Sequence, residues 1–375
     1  MKRIIVSLIF MVIITSSNFC QLRQDTTFSV FQFPHERIPV IDGNIEDWSI
    51  VPDSFAIGIE QLWEDSGKQD KIDKKNLDVK VKVGWVKGLN RLYFLYEAYD
   101  NFWNFSRRDH HNDIFEVVVD GDLSGGPLVD HGHYKVWKEN AVGDIRVKLD
   151  PRIKTEDEHW LMHGVHAQNY HIFTPSGNKD WCMVWGVQPW IKDFPYALSA
   201  CKYDFNKTGD SGKLTLEFYI TLFDYASADG PSRSVESKLE ENKMIGLSWA
   251  VIDYDDSASS GHNGFWNLSR EHTMYGNASY LCLFKLMPLL KEFLPKIKAD
   301  WDFKIIDFEK RIVAFRDLSV GNITKWKWDF GDGNYSYEQN PIYQYKKGGD
   351  YNVTLYVEGP DGKDELTKVW DVAFK

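Results

Sequence analysis

Cysteine is scarce in this chain. Cys20, Cys182, Cys201 and Cys282 are the four in 375 residues. Small secreted domains without a sufficient core rely on dense disulfide frameworks, and so few thiols exclude one. Cys182 and Cys201 could pair in an oxidising compartment, but the fold must stand on its cores. Long apolar runs are missing as well. The opening residues, MKRIIVSLIFMVIITSSNFC, hold an apolar stretch from Ile4 to Ile14, too short to span a bilayer. No later segment approaches that length. Lys2 and Arg3 precede the run and a small polar tail follows it, the layout of a secretory signal peptide over 1–20 with cleavage near Cys20–Gln21. Lipidation of Cys20 is the alternative, and Phe19 stands where a lipobox takes a small residue. The expected location is secreted, periplasmic or outer cell surface.

Basic charge is also in short supply. Lys and Arg number 44 against 55 Asp and Glu, a formal net charge of −11, and loss of Lys2 and Arg3 makes it −13. No basic stripe is present, which argues against nucleic acid and anionic membranes as partners. A neutral or weakly charged ligand suits this chain better. Nor is there a Gly-x-Ser-x-Gly elbow, a phosphate loop or a dinucleotide fingerprint. Long amphipathic helical periods are absent too.

What the chain has in quantity is aromatic residues, 15% of the total with 15 Trp. It is also rich in strand patterns. VKVKVGW (79–85) alternates, with Val79, Val81, Val83 and Trp85 on one face. The turn KGLN joins it to RLYFLYEAYD (91–100) as a hairpin. Further strands are expected at 114–122, 144–150, 214–225, 244–256 and 279–286, and one short helix within 231–243. The fold class is all-β: a large antiparallel β-sandwich over 28–290 with a long insertion at 151–210. Lysines and two prolines at 287–300 mark a boundary, with a linker at 291–299. A smaller immunoglobulin-like sandwich follows over 300–375.

That last region contains Trp328-Asp329-Phe330-Gly331-Asp332-Gly333, then Asn340-Pro341 through Tyr345, then Gly349-Asp350-Tyr351-Asn352-Val353-Thr354-Leu355. This order closely resembles the polycystic-kidney-disease (PKD) repeat family. The resemblance implies an immunoglobulin-like sandwich, most simply a spacer or structural module. The large domain opens with Asp42, Gly43, Asp47 and Trp48, continues with Leu92, Tyr93 and Asp100, and then has Asp113, Glu116 and Asp120. This order resembles family 9 carbohydrate-binding modules and their DOMON-like relatives. The 151–210 insertion departs from that pattern.

Several clusters are candidates for chemistry. Asp120, Asp122 and Ser124 form an acidic loop able to wrap structural calcium, the one cofactor expected, or simply to close a strand. Asp253, Asp255 and Asp256 make a weaker second cluster. His159, His163, His166 and His171 crowd together, but Trp160 stands where the zinc-protease pattern needs Glu. Asp113 and Glu116 are three apart on a strand and face opposite sides, poor geometry for an acid–base pair.

The stretch GVHAQNYHIFTPSGNKDWCMVWGVQPW (164–190) is aromatic yet loop-like. Sugar rings offer C–H faces to indoles and hydroxyl edges to Asn, Gln and His. Trp160, Trp181, Trp185 and Trp190, with His163 and Asn169, have that composition, and Trp181 and Trp185 at spacing four would share a side of an extended strand. Trp103 and Trp266 lie in Gly/Asn-rich loops. The competing reading makes these tryptophans a small core. The favoured function is a secreted, non-catalytic protein that captures polysaccharide or oligosaccharide, with other surface glycan-utilisation proteins as candidate partners. A glycoside hydrolase or lyase sited in the insertion, a haem module using Met162 or Met183, and an adhesive surface protein remain as alternatives.

Overall fold

The structure is a computed structural model that describes residues 26–126, 128, 164–294 and 296–374. The expected signal peptide and the 144–150 strand lie outside the described residues. The chain divides into two compact units, Met1–Pro288 and Leu289–Lys375.

In the large unit the strands are β1 (Thr27–Gln32), β2 (Ile57–Gly58), β3 (Trp63–Glu64), β4 (Leu77–Trp85), β5 (Arg91–Asp100), β6 (Ile114–Asp120), β7 (Gln168–Phe173), β8 (Cys182–Val184), β9 (Ala197–Tyr203), β10 (Gly212–Thr221), β11 (Phe223–Tyr225), β12 (Val235–Glu236), β13 (Met244–Asp253), β14 (Gly264–Asn267) and β15 (Cys282–Leu286). Pairing runs β8-β7-β6-β13-β15-β1-β4-β5-β10-β9. The strand β1 is the corner. Its first half pairs with β15 and its second half with β4, both in parallel. The remaining ladders are antiparallel. The two sheets so joined pack face to face.

Period-two patterning explains the core. Leu77, Val79, Val81, Val83 and Trp85 of β4 all point into it, and the β4–β5 hairpin forms as expected. Tyr96 of β5 stacks on Phe115 of β6 at 4.5 Å, and Phe94 on Phe218 of β10 at 4.6 Å. Such aromatic contacts add to the area they bury. Gly84 is needed where it stands, because a Cβ there would fall 2.1 Å from the Phe33 ring.

Two expectations change. The segment set apart as an insertion supplies β7, β8 and β9. Strand β7 pairs with β6, and β9 pairs with β10, so residues 168–203 belong to the sandwich itself. The short helix expected within 231–243 is a single 3-10 turn, Pro231–Arg233, followed by β12. Gly230 ahead of it has φ of 101°, and Pro at the start removes a donor the turn does not use.

The N-terminal segment covers the outer face of the β10 sheet. Glu217, wholly buried, accepts from Gly43 N at 2.8 Å and from Trp48 Nε1 at 2.8 Å. The Asp-Gly…Trp opening is thus a cover pinned by one carboxylate, whose pKa burial pushes up. In the C-terminal unit, β16 (Trp301–Asp307), β17 (Ile312–Asp317) and β20 (Ile342–Gln344) form one sheet. The strands β18 (Lys325–Asp329), β19 (Tyr335–Ser336), β21 (Gly349–Gly359) and β22 (Gly362–Phe374) form the other. Trp301, Trp328, Phe315, Phe330 and Tyr345 fill the space between. Gly331 has φ of 78°, and a Cβ there would stand 2.5 Å from the Asn352 carbonyl.

Glu217→Ala should therefore destabilise the large unit by about 2–4 kcal/mol, since it strands two buried donors. Glu217→Gln, which keeps a carbonyl acceptor, should cost less. Urea denaturation followed by Trp fluorescence measures both, and equal losses for the two would contradict the assignment.

Candidate functional site

Strand β6 is buried along its whole length, so its sheet is covered on both faces. Phe115, Val117 and Val119 face the core between the sheets. Ile114 and Val118 face outward, under a second apolar cluster that includes Phe265, Met274, Ala278 and Leu281. Glu116 shares that outward face. Register sets His171 of β7 directly opposite Glu116, and Asn169 opposite Val118. Three polar side chains are thereby gathered in an otherwise apolar layer. Glu116 is 4% exposed, His171 5% and Asn169 1%.

Their hydrogen bonds are incomplete. Asn169 Nδ2 donates to Glu116 Oε1 at 3.0 Å and to the Tyr275 carbonyl at 3.2 Å. His171 Nε2 faces the His110 carbonyl at 3.3 Å, which places the ring hydrogen on that nitrogen. His171 Nδ1 lies 3.9 Å from Glu116 Oε1, beyond hydrogen-bond reach. Asn169 Oδ1 and His171 Nδ1 have no partner among the described residues. An unpaired buried acceptor costs about 1–3 kcal/mol, so such a pair is not explained by packing.

Aromatic side chains stand around these groups. The Trp185 ring lies 5.8 Å from His110 and 6.0 Å from His171, edge to face in both cases. Tyr275 is 37% exposed, and burial together with the charges of Glu116 and Asp65 raises its pKa. Burial, and then the imidazoles of His111 and His171, hold His110 below the usual histidine range. Lys179 Nζ pins the His110 loop by donating to the carbonyls of Phe105 (3.1 Å) and Arg107 (2.8 Å).

The other expected site residues fall elsewhere. Trp103 is buried, donates through Nε1 to the Gly212 carbonyl at 3.0 Å and stacks on Phe205. Trp266 is 3% exposed within the main core. Trp190 donates to the Ser227 carbonyl and packs edge-on against Phe223 and Tyr196. Trp181 packs with Cys182 and Val184 against the inter-sheet core, its Nε1 on the Lys192 carbonyl. Trp181 and Trp185 therefore do not share a side. The strand β8 between them has only three residues, and both tryptophans lie beyond its ends, where alternation no longer holds. Trp160 and His163 lie outside the described residues. Sequence reasoning passed over His110 and Tyr275 as site residues, and it passed over Trp63, which is 55% exposed. The one available signal was Glu116, a charge in the middle of the apolar strand IFEVVVD.

A second polar cluster lies at one end of the core. Asp100 and Asp253 end β5 and β13 in phase with their inward-facing residues, Asp113 immediately precedes β6 in phase with Phe115, and all three are buried. One oxygen from each lies within 4.8 Å of the others. None forms an ion pair with a described lysine or arginine. Asp253 Oδ2 accepts from Gln69 and Asn76, but its Oδ1 has no partner. Burial pushes the pKa of all three up, that of Asp253 to about 7, and charge repulsion adds to it, from Asp253 at Asp100, from Asp100 and Asp253 at Asp113, and from Asp255 at Asp253. By contrast Asp120 is occupied by its own turn. It accepts from the N–H groups of Asp122, Ser124 and Gly125, with burial raising it to about 7.

Comparison with known proteins bears on both units. Residues 307–373 match the model of the PKD domain family. Collagenase ColQ1 of Bacillus cereus is 46% identical over 48 residues, 13% of this chain and 5% of that protein. The metalloprotease PrtV of Vibrio cholerae is 45% identical over 47 residues, again 5% of its length. The chain thus spans a small fraction of these curated relatives. Among solved structures, the PKD1 domain of PrtV is 31% identical, with 20% of this chain and 93% of that one covered and a TM-score of 0.18. A family 9 carbohydrate-binding module from Caldicellulosiruptor kristjanssonii in complex with cellotriose is 14% identical, covering 73% of this chain and all of that one, TM-score 0.41. Its glucose complex is similar at TM-score 0.40. No helix among the described residues is long and apolar enough to cross a membrane.

Trp103→Ala should cost about 3–5 kcal/mol, as a filled core position is emptied, whereas Trp185→Ala should cost under about 1 kcal/mol. Chemical denaturation of the two variants tests the division. A Trp185 variant as unstable as the Trp103 variant would place both in the core.

Proposed function

We propose that the protein binds carbohydrate, as an exported glycan-capture protein without catalysis of its own. The observation that carries this reading is the set of unsatisfied acceptors on the outer face of β6. Asn169 Oδ1 and His171 Nδ1 lack partners among the described residues, beside the Glu116 carboxylate, with Trp185, Tyr275 and His110 around them. Sugar hydroxyls are donors that would complete those bonds. The apolar ring face of the sugar would lie on the aromatic edge groups. The expected signal peptide and the acidic balance agree with an exported protein and a neutral ligand.

The test is calorimetric titration with a glycan panel that includes cellotriose and glucose, the ligands of the family 9 modules named above. Glu116→Gln should weaken binding about 10–100-fold, and Trp185→Ala about tenfold. Trp181→Ala should leave the affinity of folded protein unchanged. Absence of heat with every glycan would sink the reading. Release of reducing ends from a polymer during the same incubations would favour a hydrolase instead.

Calcium is proposed as a structural cofactor, held by Asp100, Asp113 and Asp253. Three buried carboxylates with an unpartnered oxygen suit a hard cation, which offsets their repulsion. The Asp120–Ser124 loop is less suited, because its buried carboxylate already serves backbone donors. Calcium added to chelator-treated protein should stabilise it by about 3 kcal/mol at a hundredfold excess over Kd, roughly 5–10 °C in Tm. Asp253→Asn should abolish the response and leave the chelated protein no less stable. An equal calcium response in that variant would exclude the triad.

A further inference from the structure

The C-terminal sheet has two different faces. Trp328, Val353, Leu355 and Val357 turn one of them into the core. The other carries aromatic rings in the open. Tyr335 is 52% exposed, Tyr337 74% and Tyr356 36%. Register sets Tyr356 opposite Lys327, and Tyr335 opposite Asp329. The Lys327 ammonium lies 4.6 Å from the Tyr335 ring centre and 5.3 Å from that of Tyr356. A cation shared by two rings restrains both, so the rings are held open to solvent in a set arrangement.

A groove of about 590 Å³ runs over this face, with Tyr337 and Tyr356 in its wall. Lys325, Lys327 and Lys363 stand along it with Glu358 and Glu365, while Asp364, opposite core-facing Val357, turns its carboxylate to Ala299 N. Lys325 and Glu358 pair directly at 2.6 Å. The lining therefore carries charges of both signs in near balance and is rich in both donors and acceptors. It offers no field for a nucleic acid or an acidic polymer, and it interrupts the apolar area that a protein interface core needs. Flat rings beside paired hydrogen-bonding groups match an uncharged polysaccharide strand, whose C–H faces stack and whose hydroxyls accept and donate.

We infer that this face of the PKD unit is a second contact surface for a neutral polysaccharide strand, with Tyr335, Tyr337 and Tyr356 as its stacking groups. The choice of polymer class rests on the function proposed above; the surface itself does not. Two weak contacts on one chain raise retention on a polymer through effective concentration, without either site being strong.

The experiment uses the full-length chain and measures depletion from suspensions of insoluble cellulose, xylan, mannan and chitin, alongside calorimetry with soluble cellotriose. The triple variant Tyr335→Ala, Tyr337→Ala, Tyr356→Ala should lose about tenfold or more in retention on the preferred particle, with the calorimetric response unchanged. The single variant Tyr337→Ala, at a residue with little to lose in packing, should show part of the same loss. Glu116→Gln with Trp185→Ala should do the reverse, abolishing the soluble titration and leaving a tyrosine-dependent retention. If wild type gives no heat with soluble glycan but tyrosine-dependent retention persists, the function proposed for the β6 face fails and this surface stands. Wild-type retention by both tyrosine variants overturns the inference, as does absence of retention on every particle. A wild-type dimer in sedimentation velocity that the triple variant converts to monomer also overturns it, because the face is then a contact between copies.

Discussion

The antiparallel pairing of β6 with β7 on one side and β13 on the other is the constraint on which the large unit depends. Ladder hydrogen bonds set Glu116 opposite both His171 and Ala250. Because side chains alternate, that register directs Phe115, Val117 and Val119 to the inter-sheet core and Glu116 to the other face. It also brings Asp113, just ahead of β6, beside the end of β13, where Asp253 sits. A slip of one residue would send Glu116 into the aromatic core and scatter the three aspartates. The polar site and the carboxylate cluster are thus two consequences of one register.

Buried polar groups in this unit fall into two kinds. Glu217 has both oxygens occupied, by Gly43 and Trp48, and Asp120 has its carboxylate filled by three backbone donors. These groups hold covers and turns in place, and their desolvation is offset within the fold. Among the described residues, Asn169 Oδ1, His171 Nδ1 and Asp253 Oδ1 are left open. The fold carries their cost where it could have used apolar residues. Single atoms of the scaffold, Trp249 Nε1 and Tyr170 Oη among them, are open as well; what marks the candidate sites is that open acceptors cluster there beside carboxylates.

Much of the architecture was legible in the chain. The alternation of β4, β5, β6 and β13 announced strands, and the Gly331-Asp332-Gly333 turn with Trp328 and Tyr345 announced the C-terminal sandwich. The 164–203 segment was misread as an insertion because its strands are short and its aromatics lack a clean period. Strand β7 is buried on both faces, so Gln168, Asn169 and His171 break the apolar run that marks such a strand, and β8 spans only three residues. Tryptophan in a Gly/Asn-rich loop proved a weak signal. Trp103 sits in such a loop and Trp266 in the strand β14, and both are buried, since chain from elsewhere closes over them.

By itself the sequence determined that the chain is all-β, that it has two units, and that the second has the PKD turn and core. Local patterns decide these matters, since alternation and turn chemistry act over a few residues. Only the tertiary structure decided which polar groups meet. Glu116 finds His171 across a ladder between residues 55 positions apart, and Asp253 finds Asp100 across the core. Such meetings are set by sheet order and by what each buried atom lacks, and neither is written in any single stretch of chain.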